Sequence, residues 1–372
     1  MRVLALNYEF PPLGGGAGNA TAHISRELVE LGCTVSVLTT WFPGTDRHEI
    51  RDGYAVHRVR ALRRRVDRSS PLEMASFVAS AALPALRLAR RVKPDIVHVY
   101  FALPTGLLGL LIKRFTGTPY LLSLRGGDVP GFLPETLGGL HRLTAPLHGP
   151  IWHGAAGIIA NSEGLRDLAQ EQMGLPVELA PNGVDLREYC PSSAPVEGPL
   201  RALFTGRLVR QKRVPFLLEA VRDLPVSVDL VGAGPDEEAL REQAVALGIQ
   251  DRVRFLGWAS REEMPQRYRD ADVFVFPSVE EGMPNVVLEA MASGLPIIAT
   301  DIYGHRGLVK DGDNGFLVPV EDSKAIAGAL RRLAADPKLR QQMGERSRKR
   351  AEAFGWRRTA ETYLRLSERA LA

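Results

Sequence analysis

Glu281 and Glu289 stand eight residues apart in the run Pro277-Ser-Val-Glu-Glu-Gly-Met-Pro-Asn-Val-Val-Leu-Glu-Ala-Met-Ala-Ser-Gly294. The chemistry such a pair could serve is recognition of a hydroxyl-rich, phosphorylated ligand. Ahead of them, Val273-Phe-Val-Phe276 is a short apolar run of the kind that fills a central parallel strand, so the turn after it falls at that strand's carboxyl end. Open α/β sheets bind ligands there. A helix is expected from about Asn285, a good N-cap, to just before Gly294. Its first amides lack partners inside the helix and, with the positive end of the dipole, favour phosphate. Glu289, one turn in, repels phosphate but is suited to accept hydrogen bonds from paired sugar hydroxyls, and Glu281 is suited to do the same for a second sugar. The plainer alternative is a solvated loop carboxylate and an ordinary helix-surface one. Arg207 and Lys212 follow a second strand-like run, Ala202 to Gly206. Two cations at a strand's carboxyl end can clamp a diphosphate, although surface charge is the simpler reading of either one alone.

The elements that must position these residues alternate. Strands are expected at Val3 to Leu6, Thr34 to Thr39, Ala55 to Val59, Ile96 to Tyr100, Tyr120 to Ser123, Gly157 to Ala160 and Val177 to Ala180. Helices are expected at Asn19 to Leu31, Leu72 to Arg91, Gly106 to Phe115, Leu140 to His153 and Glu163 to Met173. The alternation restarts at Ala202 and continues through Val228 to Val231, Val253 to Gly257 and Gly315 to Pro319. Helices then follow at Asp322 to Ala335, Lys338 to Ala353 and Trp356 to Leu371. This pattern predicts an α/β protein with doubly wound, mainly parallel sheets. A chain of 372 residues suits two domains, 1–185 and 186–355, with Ala194 to Pro199 as linker.

Three further stretches end strands. Pro11-Pro-Leu-Gly-Gly-Gly-Ala-Gly18 allows a ligand close to the backbone but lacks dinucleotide-fingerprint spacing, and no acidic residue ends the second strand as a dehydrogenase would need. Leu124-Arg-Gly-Gly-Asp-Val-Pro-Gly131 should reach the reaction centre, unless Arg125 and Asp128 only pair with each other. Val228-Asp-Leu-Val-Gly-Ala-Gly-Pro235 closes in a glycine turn. His141, His148 and His153 lack helical zinc spacing and read as solvated or capping residues.

At 45% hydrophobic and 24% charged, the composition is that of a soluble globular protein. The two cysteines, Cys33 and Cys190, suggest neither a disulfide framework nor zinc, and a reduced, cytoplasmic setting is expected. No run of about 18 apolar residues is apparent, so neither export nor a membrane span is expected. The formal charge of +4 is carried mainly by the first half. Its basic groups are Arg58, Arg60, Arg63, Arg64, Arg65 and Arg68, and then Arg87, Arg90, Arg91 and Lys93. They suit either solvated faces or peripheral contact with an anionic membrane. No basic stripe interleaved with aromatics argues for nucleic acid.

The stretch Glu281 to Ala299 closely resembles the Glu-x7-Glu signature of retaining glycosyltransferases with the GT-B fold, the family-four or group 1 type. That resemblance implies two facing Rossmann-like domains with a cleft between them and a terminal helix, about 356–372, crossing back to the first. It also implies a nucleotide-diphosphate sugar donor, UDP-sugar first and GDP-mannose next. In the family the first Glu, here Glu281, contacts the transferred sugar and the second, Glu289, the ribose, while Gly282, Met283, Pro284, Asn285, Val286 and Val287 hold sugar and diphosphate. Gly206-Arg207 and Lys212 match the family's cation spacing, Gly234 its Gly-x-Gly-Pro turn, Leu256 the nucleobase strand, and Gly15 and Gly16 its Pro-Pro-x-x-Gly-Gly loop. Many relatives have His where Arg125 stands, with Asp128 in the matching place. Arg125 could contact sugar hydroxyls, phosphate or an anionic acceptor. The implied reaction is metal-independent, retaining transfer to a hydroxyl acceptor such as a polysaccharide, a lipid-linked sugar or a small molecule. Attack is expected on the face the leaving group vacates, with the departing phosphate oxygen taking the acceptor proton. A nucleotide-sugar epimerase of the same fold and a non-catalytic nucleotide-sugar-binding partner are the alternatives.

Overall fold

A computed structural model describes residues 1–66, 69–132, 134–192 and 198–372, residues 134 and 136 by their backbone alone. Arg68 of the basic group and residues 194–197 of the expected linker lie outside the described residues. The chain forms two units, Met1–Asn182 with Trp356–Ala372, and Gly183–Gly355.

The first unit runs β1 (Arg2–Leu6), α1 (Gly16–Glu30), β2 (Thr34–Thr40), β3 (His48–Arg51), β4 (Tyr54–Val59), α2 (Pro71–Val92), β5 (Ile96–Tyr100), α3 (Gly106–Thr116), β6 (Tyr120–Leu124), α4 (Pro134–Gly154), β7 (Gly157–Ala160), α5 (Glu163–Met173) and β8 (Glu178–Leu179). Its sheet has the order β3-β4-β2-β1-β5-β6-β7-β8, parallel except for the β3–β4 pair. The central strands β1, β5 and β6 are buried almost throughout, as their unbroken apolar runs require. Local chemistry sets the helix ends. Ser70 and Glu73 form a capping box ahead of α2 with Pro71 in its first turn, and Ser162 caps α5, which stops at a left-handed Gly174.

The second unit contains β9 (Arg201–Thr205), α6 (Val214–Ala220), β10 (Ser227–Val231), α7 (Glu237–Ala246), β11 (Val253–Gly257), α8 (Met264–Arg269), β12 (Val273–Phe276), α9 (Asn285–Ala292), β13 (Ile297–Thr300), α10 (Tyr303–Arg306), β14 (Gly315–Val318), α11 (Ser323–Ala335) and α12 (Pro337–Ala351). Its sheet is wholly parallel, ordered β11-β10-β9-β12-β13-β14. α13 (Trp356–Leu371) belongs to the first unit and packs on α1.

Several expectations need correction. β3 was not expected: His-Glu-Ile-Arg is short and polar, and its pairing to β4 supplies what its side chains do not. α1 starts at Gly16 rather than Asn19, with the positive φ on Gly14. α2 is long and apolar enough, by length and composition, to cross a membrane, against the reading that no such run exists. Its alanines, interrupted by Ser76, Ser80 and Pro84, hide the run from a search for continuous large hydrophobes.

Candidate active site

In the second unit the strand order brings β9 beside β12, so residues after both carboxyl ends converge. After β9 the chain turns through Gly206, with φ near +148°, into a short 3-10 turn at Arg210–Lys212. Lys212 Nζ forms an ion pair with Glu281 Oε1, both side chains 13% exposed, and lies 4.8 Å from the centre of the Phe276 ring. Ser278 Oγ donates to the same carboxylate oxygen at 2.6 Å. The residues expected to grip diphosphate and sugar therefore hold each other. Arg207 is exposed and has no ion pair or side-chain hydrogen bond among the described residues.

A buried relay stands behind Glu281. Thr300 Oγ1 donates to the Ser278 carbonyl, and His305 Nδ1 donates to the Thr300 carbonyl at 2.8 Å. Burial holds the His305 imidazole neutral, its pKa pushed down to about 4. Gly304 lies so close that an added Cβ would meet the Glu281 carbonyl oxygen at 2.4 Å, so α10 fixes the Glu281 backbone from behind. Ser278, Gly304 and His305 were not assigned from sequence. Ser278 sits inside the quoted motif, whereas only pairing across β13 reveals the other two.

Pro284, not Asn285, occupies the N-cap of α9, and no side chain caps the helix. The Val287 amide, expected to face phosphate, donates to the Pro284 carbonyl at 3.1 Å. Glu289 is half-buried and receives a 2.9 Å hydrogen bond from Tyr268 Oη, which also contacts Thr205 Oγ1 and the Val286 carbonyl. Desolvation pushes the Glu289 pKa up to about 7 against the pull of that hydrogen bond. Tyr268 was missed because it precedes β12 on the short helix α8. Gly282, Met283 and Pro284 form the intervening turn, with Met283 and Pro284 buried. Gly234 packs against the Leu208 backbone, where a Cβ would meet the carbonyl oxygen at 2.1 Å. Leu256 is half-buried near the end of edge strand β11, and Trp258 beyond it is 69% exposed. Of the two Asp-x-Asp pairs, Asp270 and Asp272 stand just before β12, where Asp272 accepts from the Arg201 amide, and Asp311 and Asp313 belong to the turn before β14. Asp311 Oδ1 accepts from the Leu317 amide there, and Asp313 lies 3.5 Å from Arg346. Among the described residues no group of three or more His, Cys, Asp or Glu could hold a metal ion.

In the first unit Gly15 is the N-cap of α1 and Gly16 its first residue. Asp128 is buried, and its carboxylate accepts from the amides of Ala102, Arg125 and Gly126. It shapes the loop after β6. Burial raises its pKa, with the amides pulling the other way. Arg125 does not pair with the Asp128 carboxylate through its side chain. Its guanidinium donates to Asn182 Oδ1 at 2.8 Å and Tyr363 Oη at 3.0 Å, and stacks over Tyr100 at 5.0 Å. Tyr363 Oη lies 2.6 Å from Ser123 Oγ, so Arg125 is a joint between α13 and β6. Tyr363→Phe is expected to cost about 1–2 kcal/mol by leaving both partners short of a bond, read as a lower melting temperature. An unchanged midpoint would remove that joint. His141 and His148 are buried rather than solvated, and His141 Nε2 lies 2.9 Å from the Gly127 carbonyl of the same loop.

Residues 14–188 match the Glycosyltransferase Family 4 model and residues 187–350 the Glycosyl transferases group 1 model. Over 100% of both chains the sequence is 30% identical to alpha-maltose-1-phosphate synthase of Mycolicibacterium smegmatis. The chain belongs to the group 1, family-four glycosyltransferases. Some relatives of this family match in part: one, 36% identical, is covered over 44% of its length. Among solved structures, sucrose-phosphate synthase from Thermosynechococcus elongatus superposes with a TM-score of 0.87 at 22% identity, over 99% of this chain and 98% of that one. Anabaena HepE in complex with UDP-glucose gives 0.78 at 20%, over 98% of each. At those identities the likeness establishes the fold, that of the GT-B glycosyltransferases.

Proposed function

We propose that this glycosyltransferase moves a hexosyl group from a nucleoside-diphosphate sugar, UDP-sugars first and GDP-mannose next, to a hydroxyl acceptor with retention of anomeric configuration and without a metal. The observation that carries this reading is the Lys212–Glu281–Ser278 cluster, set at the adjoining ends of β9 and β12, with Glu289 one turn into α9. Donor binding exchanges partners within it. Sugar hydroxyls donate to Glu281, and Lys212, joined by the free Arg207, turns to the diphosphate. As the glycosidic C–O bond breaks, charge grows on the leaving phosphate, and fixed cations stabilise it more in the transition state than in the ground state. The departing phosphate oxygen takes the acceptor's proton. Glu289 receives the ribose hydroxyls. Asp128 shapes the loop after β6, and peripheral contact with an anionic membrane belongs to the same reading.

Calorimetry across UDP-, GDP- and ADP-sugars, followed by donor turnover with and without candidate acceptors, tests the proposal. Acceptor-dependent turnover giving a product of unchanged anomeric configuration by NMR, with full activity in EDTA, is the expected result. Donor turnover without an acceptor, or an inverted product, would overturn it.

A further inference from the structure

We propose that the outward face of α2 is a docking surface for an anionic lipid bilayer, which gives the membrane contact above a location and stands apart from the donor chemistry. Two members of the first basic group expected to provide that contact are spent inside the unit. Arg58 is buried, pairing with Glu49 at 2.9 Å and donating to the Asp46 carbonyl, and the Arg63 side chain is buried against Glu9 and the Val66 carbonyl. α2 differs. A core helix of this hydropathy is mostly covered, yet only 28% of its apolar window is buried. Phe77, Ala81, Ala85, Leu88 and Ala89 tie one face to the sheet, so the helix is held lengthwise and can lie on a membrane but not span it.

The opposite face has a pattern. Leu72, Ala79, Leu83 and Arg90 fall at i, i+7, i+11 and i+18, one line along the helix. Leu72 is 68% and Leu83 53% exposed. Leu62, also exposed, is attached beside them by its amide hydrogen bond to Ser76 Oγ. Exposed cations flank this apolar line, Arg64 and Arg65 at one end and Arg87, Arg90, Arg91 and Lys93 at the other. None of the latter four pairs with a carboxylate among the described residues. Glu73, in the first turn of α2, is engaged in the capping box. Arg90 and Lys93 also line an open depression with Arg2, Phe115 and Thr116, a seat for a lipid phosphate. Last-turn arginines complement the helix dipole, but that function requires no exposed leucines in register with them. Apolar side chains between exposed cations fit the acyl boundary and headgroups of an anionic leaflet.

Co-sedimentation of the full chain with vesicles of equal parts phosphatidylglycerol and phosphatidylcholine tests the surface. Binding is expected at low salt, with little to phosphatidylcholine alone, and is expected to be lost near 1 M salt, where the Debye length is about 3 Å. Arg87→Glu/Arg90→Glu/Arg91→Glu should lower partitioning by at least about a hundredfold, at roughly fivefold per basic residue. Leu72→Asn/Leu83→Asn should lower it by about tenfold. In both variants circular dichroism and nucleotide binding should match the parent, which separates failure of this surface from failure of the donor site. A parent chain that ignores the anionic vesicles, or variants that bind them as the parent does, would overturn the proposal. So would self-association abolished by Leu83→Asn in a chain that binds no vesicles, since the face would then belong to a second copy.

Discussion

Lys212→Ala should lower turnover by about 10²- to 10³-fold, the scale of losing one preorganised charge-stabilising donor. Arg207→Ala should act similarly on rate but differently on stability. Arg207 is exposed and has no ion pair among the described residues, so its removal should shift the unfolding free energy by no more than about 0.5 kcal/mol. Removing Lys212 leaves the 13%-exposed Glu281 carboxylate with Ser278 as its remaining side-chain donor, and should cost about 1–3 kcal/mol. Both cations act on one developing charge, so the double variant should lose less than the product of the single losses. Stopped-assay kinetics beside thermal melts make the comparison, and near-parental turnover in the double variant would remove the cation clamp.

Glu289 is expected to couple donor binding to pH, because the ionised carboxylate accepts two ribose hydroxyls whereas the protonated form must give up an acceptor. Donor affinity should rise as pH increases through about 7, and Glu289→Ala should weaken binding by about 1.5–3 kcal/mol. Stability should run the opposite way. The folded-state pKa is raised above the ordinary carboxylate value, so the native chain binds more protons than the unfolded one between them. The group's favourable contribution is complete below pH about 4.5 and is lost as pH rises to about 7. Glu289→Gln should therefore flatten the stability profile over that window and bring a net gain at pH 8. Calorimetry and denaturant melts from pH 5 to pH 8 read both effects. Pronounced pH dependence in the glutamine variant would assign the titration to another group.

Sequence reading went furthest where periodicity and local chemistry agree. The runs of β5, β7, β11 and β12 and the capped α5 match their observed bounds, because apolar runs and cap residues act within a few positions. It stopped where partners lie far along the chain. Nothing near Arg125 indicates that Tyr363 and Asn182 take its guanidinium, and nothing near Glu289 points to Tyr268. Glu281 and Lys212 were each assigned to a ligand. Their mutual pairing follows from β9 lying beside β12, an adjacency that only the sheet order reveals.

α13 also sets an order of events during synthesis. His98 and Ser123 of the first unit meet Ser367 and Tyr363 of this helix, Thr359 donates to the Pro181 carbonyl, and Trp356 stacks on His23. The ribosome makes the whole of Gly183–Gly355 before any of these partners exists, roughly 10–35 s at ~5–20 residues per second. The first unit to begin emerging is thus the last to be completed, and its sheet face around β1, β5 and β6 stays open through that interval. A nascent chain arrested on an unrelated spacer that holds Gly355 clear of the ribosome should carry a protease-resistant second unit and a first unit still sensitive to cleavage, reversing the amino-terminal-first sequence typical of chains with two domains.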